Sequence, residues 1–290
     1  MKIGVSSYSF SRLVGSGQMT QLDVVAKTKA MGFDFIEFSG LSLPAGETLE
    51  TFAPKVREAC EAAGLPIVNY TIGADLINGS NGDWKAEVER LKGELKIAKA
   101  LGVKGMRHDA TRGFPAGHVG AKGFDDALPL LVRGCRAVTE FAADLGIRTM
   151  VENHGFFCQD SERVEKLANG VNHPNFGLLV DVGNFLCADE PSLLAVGRVA
   201  PYALHVHAKD FHVKAASLPD PGKGWFRSRG GSFLRGSIIG HGEVPVQACL
   251  GILKRAGYDG TLSIEFEGME NPVDGIAISL ENLRRFEAAC

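Results

Sequence analysis

Short apolar runs alternate along this chain with longer segments whose apolar residues recur every three or four positions. The runs lie near residues 2–6, 34–38, 66–70, 103–107, 147–152, 177–182, 203–208 and 261–266, each as brief and apolar as a buried strand. Helical patterns cover 18–31, 47–63, 83–101, 124–145, 161–168, 192–199 and 244–256, and a last one lies near 276–286. In the third, Trp84, Val88, Leu91, Leu95 and Ala98 fall at spacings of three and four, which lines one face with apolar groups. Several helical patterns stop at a glycine, as at Gly32, Gly64, Gly102, Gly146 and Gly257, because glycine takes the left-handed cap conformation at little cost. The repeating unit is helix, glycine, buried strand.

Eight such units in 290 residues predict an α/β fold, a (β/α)8 barrel forming a single domain over residues 1–290. An open doubly wound sheet competes, but no Gly-x-Gly-x-x-Gly follows the first strand and eight comparable units close more readily than they splay. Residues 211–239 break the rhythm and read as a loop insertion. It carries Trp225, Phe226, Arg227, Arg229 and Arg235, which at a barrel mouth would fold over a polar ligand or form an oligomer contact. Gly240-His241-Gly242 at a helix start reads as a tight turn or a phosphate cradle.

Composition narrows the class. At 45% hydrophobic, without a long apolar run, the chain can bury a large core and has nothing to span a membrane. It begins as a strand with no separate apolar signal region, so a cytoplasmic location is expected. The cysteines at 60, 135, 158, 187, 249 and 290 show no paired spacing and fall mostly in apolar segments, which suits reduced packing residues; no structural zinc is expected. A net charge of −3 with no basic run argues against nucleic acid as a partner.

Four strand-like runs in the second half end on a polar group: Glu152, Asp181, His207 and Glu265. In a barrel the carboxyl ends of the strands converge on one mouth, so these residues would meet despite their separation in sequence. Three carboxylates and an imidazole form an oxygen-rich set suited to one divalent metal ion, with Mn2+ the first choice and Mg2+, Co2+ or Zn2+ the alternatives. Any one of them alone would be an ordinary strand-end residue capping a loop; together they would repel without a cation. Glu152 and Glu265, from the fifth and eighth strands, would approach a substrate from opposite sides. One could take a proton beside a carbonyl and the other return it. His154 and Lys209 lie two residues beyond Glu152 and His207 and share their strand faces, while Arg107, His108 and Glu37 end other strands; all five are candidate substrate contacts, as is Arg235 in the insertion. For Lys209 the alternative is a surface pair with Asp210.

Glu152, Asp181 in Asp-Val-Gly, His207 in His-Val-His-Ala-Lys-Asp and Glu265 in Ser-Ile-Glu-Phe-Glu resemble the signature of the sugar phosphate isomerase/epimerase family of xylose isomerase-like TIM barrels. The resemblance spans essentially the whole chain and implies that Glu152 and Glu265 combine metal ligation with proton transfer. It implies an isomerase or epimerase acting on a sugar, sugar phosphate or related keto-polyol through a metal-stabilised enediolate. A lyase of the inosose or keto-sugar dehydratase type is the alternative on the same barrel, and a non-catalytic sugar-binding barrel stands further off. Asn184, Cys158 and Val213 occupy positions where ketose 3-epimerases of the group carry His, Glu and Arg, so the substrate-gripping set differs and Asn184 joins the candidate substrate contacts. Related abasic-site endonucleases also place a His at the position of Asn184, which turns the reading away from DNA repair. The expected partner is a small-molecule carbohydrate, and related barrels often pair or form tetramers, so a homo-oligomer is expected.

Overall fold

A computed structural model describes residues 1–290. The chain runs β1 (Lys2–Ser6), α1 (Ser11–Gly15), α2 (Gln21–Ala30), β2 (Ile36–Ser39), α3 (Leu49–Ala62), β3 (Ile67–Ile72), α4 (Trp84–Leu101), β4 (Gly105–His108), α5 (Phe124–Asp144), β5 (Arg148–Glu152), α6 (Ser161–Val171), β6 (Phe176–Asp181) and α7 (Ser192–Val199). It continues through β7 (Ala203–Ala208), β8 (Asp210–Lys214), β9 (Phe226–Arg227), β10 (Phe233–Ser237), α8 (Val246–Arg255), β11 (Thr261–Ile264) and α9 (Pro272–Ala288). Strands β1 to β7 and β11 are all parallel and close on themselves, since β1 pairs with both β2 and β11. The molecule is a single-domain (β/α)8 barrel.

Sequence patterning accounts for the frame. The positive φ angles at Gly32, Gly64, Gly102, Gly146 and Gly257 are those expected where a helix turns into the next strand. Helix α2 begins at Gln21 instead of near 18, because Thr20 and Asp23 form a reciprocal capping box that fixes its start. Helix α9 begins earlier than its apolar pattern, at Pro272, where Asn271 caps the first turn. No helix is long and apolar enough to cross a membrane.

The insertion is the main departure from the sequence reading. Instead of a loop, it forms a three-stranded antiparallel sheet, β8-β10-β9, with Asp210 opposite Ser237 and Lys214 opposite Phe233. Arg229 Nη1 binds Asp160 Oδ2 at 2.8 Å, and Ser228 Oγ donates to Asp189 Oδ1 at 2.6 Å. These ties fasten the sheet's turn to the loops that follow β5 and β6. Gly240-His241-Gly242 is a tight turn: Asp210 Oδ2 accepts from the N–H groups of Gly240 and Gly242 at 2.8 and 3.0 Å, leaving neither free for a phosphate.

Candidate metal centre

Glu152 and Asp181 are the last residues of β5 and β6, His207 is the penultimate residue of β7, and Glu265 follows β11 directly. Their side chains converge in the barrel lumen, and the donor atoms all lie within 4.8 Å of one another. His207 Nδ1 stands 3.6 Å from Glu265 Oε2, 3.8 Å from Glu152 Oε1 and 3.9 Å from Asp181 Oδ2. Neither His207 Nδ1 nor Asp181 Oδ2 makes a hydrogen bond, although both are buried. Unmet lone pairs beside three carboxylates are unfavourable in a buried site, and a cation relieves all of them together. The four residues therefore fit a divalent metal ion.

Their surroundings fix how they point. Glu37 Oε1 takes His207 Nε2 at 2.5 Å and Glu37 Oε2 takes His205 Nε2 at 2.8 Å, so the Nε2 proton is directed at the carboxylate and Nδ1 turns toward the centre. Asn153 exchanges two hydrogen bonds with the backbone of Asp181, both 2.9 Å, which lock the end of β6 against β5. The Gly183 and Asn184 amides hold Asp181 Oδ1 at 2.8 and 2.9 Å, leaving Oδ2 for the lumen. In Asp-Val-Gly the glycine is required by space, since a Cβ on Gly183 would meet the Lys209 carbonyl oxygen at 2.8 Å. Glu152 receives Asn184 Nδ2 at 2.9 Å and Arg107 Nη2 at 2.7 Å.

Charge inside the centre is partly balanced by Lys209. Only 3% of its side chain is exposed, and Nζ lies 2.5 Å from Glu265 Oε2 and 3.3 Å from Asp181 Oδ2. Burial opposes the ammonium form, but Asp181 and Glu265 outweigh it and raise the Lys209 pKa well above its ordinary value. Burial alone would raise Glu265 also; Lys209 and His207 hold it well below the usual carboxylate range. Asp181 is different, because burial and the neighbouring Glu152 and Glu265 outweigh Lys209 and push it up to about 6.

The family model described as the xylose isomerase-like TIM barrel matches residues 25–286. The chain belongs to the xylose isomerase-like TIM barrels. No curated protein matches it in sequence. Among solved structures, a probable 3-DHS dehydratase from Bacillus anthracis is 17% identical, with a TM-score of 0.73 over 98% of this chain and 99% of that one. A 3-keto-D-glucoside 4-epimerase from E. coli is also 17% identical, with a TM-score of 0.71 over 98% and 99% of the two chains. The IOLI protein, solved with a bound zinc atom, is 15% identical, with a TM-score of 0.73 over 100% and 99%. At these identities the likeness is one of fold.

In this xylose isomerase-like barrel a cavity of about 500 Å³ opens above the centre, lined by His154, Asn184, Lys209 and Glu267 and by Phe226, Arg227 and Gly236 of the insertion sheet. His154 stands on its wall and binds Asp109 Oδ1 at 3.0 Å; burial opposes its protonation, and Asp109 outweighs burial and raises its pKa. Asn184 lies at the cavity floor, between Glu152 and Lys209. The surface pair between Lys209 and Asp210 does not form, because strand alternation sends Lys209 into the lumen and Asp210 into the turn at 240–244.

Three other residues sit elsewhere than a substrate contact would. Glu37 is fully buried beneath His207 and is saturated by His207, His205 and Asn69. His108 follows Arg107 on β4 and therefore faces the opposite side of the sheet, where it is buried and its Nδ1 lies 2.8 Å from the Asp109 carbonyl oxygen. Arg235 places its guanidinium 5.5 Å from the Trp225 ring centre and does not line the cavity; Arg227 does. Glu267 and Tyr8, also on the cavity wall, went unread in the sequence. Glu267 was recoverable by parity, two residues beyond Glu265 in Ser-Ile-Glu-Phe-Glu, whereas Tyr8 lies in a short turn after β1 that carries no periodic signal.

Proposed function

We propose that this chain is a divalent-metal-dependent isomerase or epimerase that moves a proton beside the carbonyl of a sugar or related keto-polyol. The observation that carries this is the pair Glu152 and Glu265, brought from separate strands to two sides of one buried centre under a polar cavity. Glu152, Asp181, His207 and Glu265 would hold the cation, which when bound polarises a carbonyl and stabilises negative charge developing on its oxygen. Manganese is the first choice for an oxygen-rich set, and the zinc in the IOLI structure keeps that metal in play for this chain.

The chain's own groups supply the proton transfers. Glu265, held ionised by Lys209 and His207, takes the proton from the carbon beside the carbonyl, and Glu152, once it has taken up a proton from solvent, returns that proton from the other side. Lys209, fixed beside Glu265, neutralises charge as the enediolate forms. Arg107 and Asn184 keep Glu152 in place through both its oxygens. His154 and Glu267 stand where substrate hydroxyls would reach them.

A lyase is the second reading, favoured by Tyr8. It lines the cavity and, protonated at neutral pH as a phenol is, stands available to a departing hydroxyl, while the neighbouring Glu267 charge pushes its pKa up to about 12. An epimerase and a probable dehydratase share this fold, which supports weighing both reactions for this chain.

Incubating the manganese-loaded protein with a panel of keto-sugars in D2O and following them by NMR tests the reading. Deuterium entering a C–H position without loss of water is the expected result, and signals of a new double bond would select the lyase. Glu152→Gln and Glu265→Gln should each abolish the exchange more completely than they weaken sugar binding. Absence of exchange across the panel would leave a sugar-binding barrel.

A further inference from the structure

A second cavity, of about 450 Å³, opens on the other half of the same barrel mouth, at the ends of β2, β3 and β4. Ser39, Thr71 and Arg107 line it, and they are register partners on three adjacent strands, so they form one inward-facing arc. The arc continues around the barrel from the strands that carry the four metal-site residues, with β1 closing the circle. Arg107 joins the two halves: it lines the second cavity while its Nη2 holds Glu152 at 2.7 Å. Its Nε is buried without a hydrogen-bond partner, while Nη2 serves Glu152 and Asp109 and one Nη1 proton serves the Ile72 carbonyl oxygen, so the guanidinium keeps unused donors. A buried guanidinium with unused donors, on a residue that lines a polar cavity, suits a hydroxyl-bearing ligand.

The lining also states what kind of ligand. Two cations, Arg90 and Arg107, are matched by two carboxylates, Glu94 and Asp109, so no positive charge is in excess for a phosphate. The lining combines these donors and acceptors with the apolar Leu41 and Leu49, the combination that hydroxyl groups and C–H faces of a saccharide ring require. We propose that this cavity is a second subsite that binds a neutral, hydroxyl-bearing ring joined to the part of the substrate that reacts. The natural substrate is then a glycoside or similarly extended polyol, a conclusion that rests on the carbohydrate reading of the metal centre.

The test is an amide NMR titration of the Mg2+-loaded protein with maltose, cellobiose and trehalose, and separately with inorganic phosphate. At least one disaccharide should shift the Gly40 and Gly73 amides at the cavity rim in a saturable way, and phosphate should shift neither. Ser39 is exposed at the end of β2, so Ser39→Trp fills the cavity from its rim and should weaken that binding roughly tenfold or more, whereas Ser39→Ala should change it far less. Loss of shifts with all three disaccharides, shifts with phosphate instead, or unchanged binding in Ser39→Trp would overturn the proposal. Proton exchange on keto-sugars separates the two readings: exchange without disaccharide binding sinks the subsite alone, and disaccharide binding without exchange sinks the proton-transfer chemistry alone.

Discussion

The charged residues of the mouth are tied to one another in a chain, and each tie has a measurable consequence. Asp109 lies 2.8 Å from Arg107 Nη2 and 3.0 Å from His154 Nδ1. Burial would raise its carboxyl, yet Arg107 and His154 bring it from 3.8 to about 2. A carboxylate whose folded pKa is depressed stabilises the fold fully above its unfolded value, so this contribution of about 2 kcal/mol is present above about pH 4 and lost as pH falls through 2. Asp109→Asn should therefore lower the urea midpoint at pH 6 and leave a flatter stability profile between pH 5 and 2. Glu37 acts through another residue. Glu37→Gln keeps the shape but loses the carboxylate that fixes the His207 ring, and metal affinity should fall about 10- to 100-fold, read by metal titration, with the folded spectrum unchanged. Unaltered affinity would mean that Glu37 does not position His207.

At the scale of elements, the junction between the insertion sheet and the last barrel strand is tightly specified. A Cβ on Gly236 of β10 would meet the Glu267 carbonyl oxygen at 2.4 Å, a backbone contact that cannot yield cheaply. Gly236→Ala should cost about 1–3 kcal/mol in chemical denaturation and displace Glu267 from the cavity wall, whereas Gly93→Ala, in open space on α4, should be neutral or stabilising. This junction was also the least legible part of the sequence. The barrel strands were found to within a few residues because each is a buried apolar run, and five of the eight follow a helix that stops at a glycine. Strand β9 is only Phe226–Arg227, both exposed, and β8 and β10 are held by cross-strand pairing with residues some twenty positions away, which no local period reveals. The Trp225-Phe226-Arg227 cluster signalled a covering element without giving its form.

For the whole molecule, barrel closure turns distant strand ends into one site. Glu152, Asp181, His207 and Glu265 could be listed from sequence because every one interrupts an apolar strand at its carboxyl end, and topology does the rest. What stayed hidden was which neighbour each strand-end group would meet across the lumen. Glu37 reads like any other such residue, yet it lies under His207, and Lys209 forms ion pairs with two ligand carboxylates from inside the barrel. Those pairings depend on strand register around the circle, which sequence periodicity does not encode. The central claim is that one cation is held by this quartet. A crystal of the protein grown with Mn2+ and measured for anomalous scattering tests it directly: a single strong peak is expected, bonded to His207 Nδ1 and to oxygens of Glu152, Asp181 and Glu265. A lumen without such a peak, or manganese bound only elsewhere, would contradict it.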